Sequence, residues 1–81
     1  NRVEYQPVNL DALQSLVDNK KVKKKTIDIN TLIENRLVGK NDLVQILGRG
    51  DLSSPIKVEA HKFSETAKKA IEKAGGEIKT I

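Results

Sequence analysis

Along this chain the apolar positions change period several times, and each change marks an element. Residues 3–8 read as a short extended segment, which Pro7 confines to a sheet edge or a strand end because proline cannot donate to a ladder. Leu10, Leu13, Leu16 and Val17 recur at the spacing of one helical face, and Asn9 is placed to cap that helix. A loop over 20–25 follows, and Ile27 and Ile29 then alternate with polar neighbours. Asn30 or Thr31 can cap a second helical stretch, carrying Leu32, Ile33 and Leu37 and stopping near Gly39.

The second half is more regular. The apolar run 43–47, bounded by Asn41-Asp42 and Gly48-Arg49-Gly50, predicts a mostly buried strand and then a turn. Ile56, Val58 and Ala60 alternate with Lys57 and Glu59, as a half-buried strand requires. Ser64 caps the best-patterned helix, whose inner stripe is Ala67, Ala70, Ile71 and Ala74. Gly75-Gly76 ends it, since glycine takes a positive φ at no steric cost. Residues 77–81 alternate again as a last strand. The small residues on the helix stripe allow close approach to a sheet. The pattern predicts an α/β fold: a small single domain of irregular β-β-α turns, with short strands and two to three short helices.

Composition narrows the reading. At 81 residues and 9.0 kDa the chain suits one domain with a radius of gyration of roughly 12 Å. Apolar residues make up 37 %, too many for a disordered segment. Such a chain buries only about 60–65 % of its unfolded surface, so a binding partner adds stability. The absence of cysteine excludes disulfide scaffolds, cysteine-based zinc sites and thiol chemistry. No apolar run approaches the roughly 18 residues of a membrane span, so no membrane partner is expected. The chain opens at Asn1, and the expectation is that residues 1–81 are the ordered part of something longer.

The net charge of +4 is uneven. Arg2 against Glu4, Asp11 and Asp18 leaves residues 1–19 acidic, whereas Lys20, Lys21, Lys23, Lys24 and Lys25 concentrate five positive charges around Val22. Without that run the domain would be slightly acidic. The run suits a polyanion partner and a solvated lysine-rich turn about equally, and a nuclear-localisation patch is a third reading.

Candidate catalysis is thin. His61 is the only histidine, and Ser64, three residues on across a strand-to-helix turn, has no fixed geometry with it. A lone histidine also falls short of the four ligands of a structural zinc. Gly48-Arg49-Gly50 lacks the further glycine, lysine and Ser/Thr of a phosphate-cradling loop and reads as a turn. Arg49-Gly50-Asp51 spells the adhesion tripeptide, but a basic, cysteine-free chain is poor context for it. No enzyme, cofactor, metal or small-molecule substrate is expected. Around the last helix, His61 and Lys62 precede the N-terminus, where phosphate oxygens are favoured, and Lys68, Lys69 and Lys73 lie on the outer face. Against this, Glu65–Lys69 and Lys68–Glu72 are ordinary i,i+4 pairs of an exposed helix. With one Tyr and one Phe there is no aromatic platform for bases, so any RNA would be held by phosphates, 2′-hydroxyls and shape.

One ordered string is specific. Ile46-Leu47-Gly48-Arg49-Gly50-Asp51-Leu52, Ile56-Lys57-Val58, Ala60-His61-Lys62-Phe63-Ser64, Ala67, Ile71 and Gly75-Gly76 together resemble the C-terminal signature of the large-subunit ribosomal protein fifteen family. Tyr5, Val8-Asn9-Leu10-Asp11 and Leu13 resemble that family's strand-to-helix opening, so the likeness spans essentially the whole chain. The resemblance implies a non-enzymatic domain that holds large-subunit ribosomal RNA beside neighbouring ribosomal proteins, in a cytoplasmic or organellar ribosome. It also implies a basic, Gly-rich N-terminal arm upstream of residue 1. On that reading Lys20, Lys21, Lys23, Lys24 and Lys25 neutralise phosphates, Arg49, His61 and Lys62 make more fixed contacts, and Lys68 and Lys69 make weaker ones. Gly48, Gly50, Gly75 and Gly76 shape the backbone. Two departures stand out: Gln45 replaces a usual lysine, and Ser53-Ser54-Pro55 fills a loop that often carries lysine in the family. The alternative is a small protein-interaction domain with a solvated lysine loop.

Overall fold

The computed structural model describes residues 5–22 and 25–81, so positions 3 and 4 of the expected first strand, and Lys23 and Lys24, lie outside the described residues. Strand β1 (Tyr5–Asn9) leads into helix α1 (Leu10–Asp18), which buries Leu10, Leu13 and Leu16. Strand β2 (Thr26–Ile27) and helix α2 (Ile29–Glu34) follow, then β3 (Leu43–Leu47), β4 (Lys57–Ala60), β5 (Lys62–Phe63), α3 (Glu65–Lys73) and β6 (Glu77–Thr80). The α/β class stands.

The strands form two three-stranded sheets, β1-β3-β5 and β2-β4-β6, with every described pairing parallel. Parallel neighbours cannot be joined by tight hairpins, so helices and loops carry the chain between them. In β3 only Val44 and Ile46 are fully buried, while Leu43, Gln45 and Leu47 are half-covered. The run expected to be mostly buried therefore alternates. Strand β5, two residues long, has no counterpart in the sequence pattern, because a pair of residues has no period to read. The chain changes sheets at His61, the single residue between β4 and β5. One continuous core joins the sheets to the helices through Val8, Leu13, Ile27, Leu32, Ile46 and Ile71. The Cα radius of gyration, 11.5 Å, matches the size expected.

One expected cap moves, and another keeps its position without a side-chain bond. Helix α2 starts earlier than the placement at Asn30 or Thr31 implies: Asp28 is its N-cap, and its carboxylate accepts the Thr31 amide at 2.8 Å. An aspartate side chain reaches the third amide well, whereas Thr31 is already helical. Asn9 occupies the N-cap of α1 but makes no side-chain cap bond. The Arg49 carbonyl accepts the Asp11 amide at 3.3 Å instead. Ser64 caps α3 as expected, its hydroxyl accepting from the Ala67 amide at 3.1 Å.

All three helices end alike. The amide one past each C-cap bonds back three residues and the next bonds back five: Lys20 to Val17 and Lys21 to Leu16, Arg36 to Ile33 and Leu37 to Leu32, Gly75 to Glu72 and Gly76 to Ile71. This Schellman pattern requires a left-handed residue. Gly75 meets that need freely at φ 89°, whereas Lys20 at 58° and Arg36 at 61° bear the strain of a Cβ. The same motif stops α2 at Glu34, well before Gly39.

Candidate functional site

The Schellman turn at the end of α1 decides where the basic run begins. Lys20, Lys21 and Lys25 are exposed, and Lys25, like Lys20, holds a left-handed backbone at φ 58°. The chain then enters β2 beside β4: the Lys57 amide donates to the Lys25 carbonyl at 2.8 Å, and Thr26 pairs with Lys57 in register. A cleft of about 340 Å³ is lined by Val17 and Val22 together with Ser54, Pro55 and Ile56. Lys20 and Lys25 also line it. Lys25 and Lys57 share the adjoining cleft with Glu77. Lys57 is a basic residue that sequence reasoning missed, since only the return of β4 alongside β2 brings it to the run.

The Gly48-Arg49-Gly50 turn leaves the C-terminal end of β3 and wedges between two helix N-termini. A Cβ on Gly48 would sit 2.6 Å from the Thr66 methyl carbon and 2.9 Å from the Ala67 amide nitrogen. One on Gly50, where φ is 94°, would meet the Asp11 amide nitrogen at 2.8 Å. Glycine is needed at both points because the backbone must approach α3 and α1 this closely. The Arg49 side chain is exposed above the turn.

His61 is engaged inside the fold. Its amide donates to the Val44 carbonyl at 3.1 Å, and its ring Nδ1 accepts the Val44 amide at 2.9 Å. An accepting Nδ1 carries no proton, so a neutral ring holds its hydrogen on Nε2. Lys62 places its ammonium 5.5 Å from the centre of the Tyr5 ring, a cation–π contact across the first sheet. Lys68 and Lys69 line a separate depression on α3 together with Glu65 and Glu72. Glu65 also supplies a carboxylate to the first turn of that helix. The ten candidate residues therefore divide among several settings: Lys20 and Lys25 in the cleft lining, Lys21 exposed at the end of α1, Arg49 at the glycine turn, His61 and Lys62 at the sheet crossing, Lys68 and Lys69 among acids, and Lys23 and Lys24 beyond the described residues.

The loop Ser53-Ser54-Pro55 is tied down. The Ser53 amide donates to Gln14 Oε1 at 2.9 Å, and Gln14 Nε2 donates to the Ser54 hydroxyl at 3.4 Å. Among the described residues no three His, Asp or Glu side chains converge into a metal-binding group, and no helix is long and apolar enough to cross a membrane.

Comparison with known proteins identifies the family. The chain is 53 % identical over 81 residues to the large ribosomal subunit protein uL15 of Christiangramia forsetii, covering all of this chain and 53 % of the relative. It is 54 % identical over 81 residues to uL15 of Flavobacterium johnsoniae, again covering 53 % of that protein. Identity is 46 % over 78 residues to uL15 of Porphyromonas gingivalis, across 96 % of this chain and 51 % of the relative. The chain thus spans about half the length of the curated relatives it matches. The family described as ribosomal proteins 50S-L15 and 50S-L18e, together with their counterpart in the 60S subunit, matches residues 7–79, nearly the whole fold, and the chain belongs to it.

Proposed function

We propose that the protein is a structural, non-enzymatic constituent of the large ribosomal subunit, and that this chain is its C-terminal globular domain docked on large-subunit ribosomal RNA. The observation that carries the reading is the family match across residues 7–79. An upstream basic arm supplies much of the affinity, and neighbouring ribosomal proteins pack alongside. The lysine run is the domain's main phosphate contact, because its charges stand together with little acid among them. Arg49 and the Nε2 edge of His61 add fixed contacts, Lys62 divides its charge between Tyr5 and the RNA, and Lys68 and Lys69 contribute least.

Sedimentation of the full-length native protein through a sucrose gradient, before and after a high-salt wash, tests this. Stoichiometric migration with the large subunit through the wash is the expected result. Migration as a free small protein, or its loss at modest salt, overturns the reading and favours a protein-interaction domain. Phosphate neutralisation releases about 0.7–0.9 counterion per contact, so binding of the protein to RNA should fall steeply with salt.

A further inference from the structure

The cleft beside the lysine run differs from every other basic surface described above in being apolar inside. Val17, Val22 and Pro55 line it with surface still exposed, and the buried Ile56 lies at its base. Lys20 and Lys25 carry positive charge at the same opening. Its volume of about 340 Å³ lies at the low end of the 300–1,000 Å³ typical of small-molecule sites, enough for one planar group and too small for a helix.

The lining is held from behind. The Glu77 amide donates to the Ile56 carbonyl at 3.1 Å, and a Cβ on Gly76 would collide with that same carbonyl. The Lys57 amide is bonded to Lys25, and Gln14 anchors Ser53 and Ser54 to α1. Because Gln14 donates to the Ser54 hydroxyl, that hydroxyl keeps its own hydrogen to give at the rim of the cleft.

We propose that this cleft receives a single unpaired nucleotide of RNA, its base packed against Pro55, Val17 and Val22, which keep exposed surface in the lining, and its flanking phosphates paired with Lys20 and Lys25. The inference rests on the RNA-binding reading above and makes it more specific: the domain prefers a bulged or looped-out nucleotide to a continuous duplex. Charge complementarity chooses the occupant. An apolar slot that two cations also line fits a ligand with a flat, weakly polar centre and flanking anions. A nucleotide within a strand has that form, whereas a paired base stays in its stack and cannot enter. No aromatic ring lines the slot, so the contact is aliphatic and weaker than a stacking platform.

The full-length protein should be titrated with two hairpin RNAs, one bearing a single unpaired 2-aminopurine in its stem and one with that position fully paired. The expected result is roughly five- to tenfold tighter binding of the bulged hairpin, the low end of base-stacking effects, with a change in 2-aminopurine emission on binding. Ser54→Phe, which fills the slot, should bring the ratio of the two affinities close to unity. Val22→Asp, which puts a carboxylate into the slot from the loop side, gives the same reading if the first variant does not fold. Equal affinities for the two hairpins in the unaltered protein overturn the slot and leave RNA binding standing. Absence of salt-sensitive affinity for either hairpin, with an acidic, apolar peptide bound instead, overturns both.

Discussion

Two basic surfaces of this domain are built from the same side chain and do different things. On α3, Lys68 and Lys69 share their depression with Glu65 and Glu72, so each charge has an opposite within a turn. At the end of α1, Lys20 and Lys25 share theirs with valine, proline and isoleucine. The first arrangement is how an exposed helix stays soluble, with each i,i+4 pair worth only a few tenths of a kcal/mol. The second sets the cations beside an apolar slot whose own lining holds no acid, with Glu77 only in the adjoining cleft, so a polyanion gains both charge neutralisation and burial. Number of lysines is therefore a poor guide to an RNA surface; what stands next to them decides.

The sharpest way to test that contrast is to remove charge from each side in turn. Alanine at Lys20, Lys21, Lys23, Lys24 and Lys25 should lower the slope of log K against log salt by about 4 in titrations of the full-length protein with ribosomal RNA. Alanine at Lys68 and Lys69 should change it by less than about 1. Equal effects of the two sets would erase the distinction.

The scaffolds behind the two surfaces can be broken separately. Gly76→Ala drives a methyl group into the Ile56 carbonyl, and Gly48→Ala drives one into Thr66 and the first turn of α3. Each should cost on the order of 3 kcal/mol in chemical denaturation, an overpacking penalty. Only the Gly76 change should also blur the choice between bulged and paired RNA, because Ile56 lies at the base of the slot.

A smaller effect is expected at the sheet crossing. His61→Leu leaves the Val44 amide without its acceptor and should cost about 2 kcal/mol, whereas His61→Asn can place Oδ1 near the Nδ1 position and recover most of it. Thermal melts of the three proteins check this. A leucine variant as stable as the parent would mean that water replaces the ring, and that His61 is held for its outward edge alone.

The smallest effect separates strain from charge. Lys20 and Arg36 occupy the left-handed position that Gly75 fills in α3, so Lys20→Gly and Arg36→Gly should each raise stability by about 1 kcal/mol. Lys20→Gly should weaken RNA binding as it stabilises the fold. Arg36→Gly should stabilise without that loss. If both variants bind RNA like the parent, Lys20 is not part of the surface.

Much of this fold is legible in the sequence alone. The helical spacing of Leu10, Leu13 and Leu16, the alternation of Val58 and Ala60, and the Ser64 cap with its Gly75-Gly76 stop each lie within one short window, and each is present. Asp28 shows the limit of that reading. Three polar residues stand together at 28, 30 and 31, and the backbone path into β2 selects the one that caps. At Asn9 the limit is sharper still, because the cap bond comes from Arg49, far along the chain.

The candidate site divides in the same way. Local sequence determined that the domain is α/β, that lysines cluster at 20–25, and that glycine ends the last helix, since helix and strand periods, turn chemistry and charge density are properties of a few neighbouring residues. Tertiary structure alone decided that the six described strands sort into two parallel sheets, that the His61 ring closes onto Val44, that Lys57 joins Lys25, and that Lys20, Val22 and Lys25 line one cleft with Pro55 and Ile56. Parallel strands meet only after the chain has travelled out and back. Which residues become neighbours then depends on the packing of the whole core, and no short stretch of sequence contains that information.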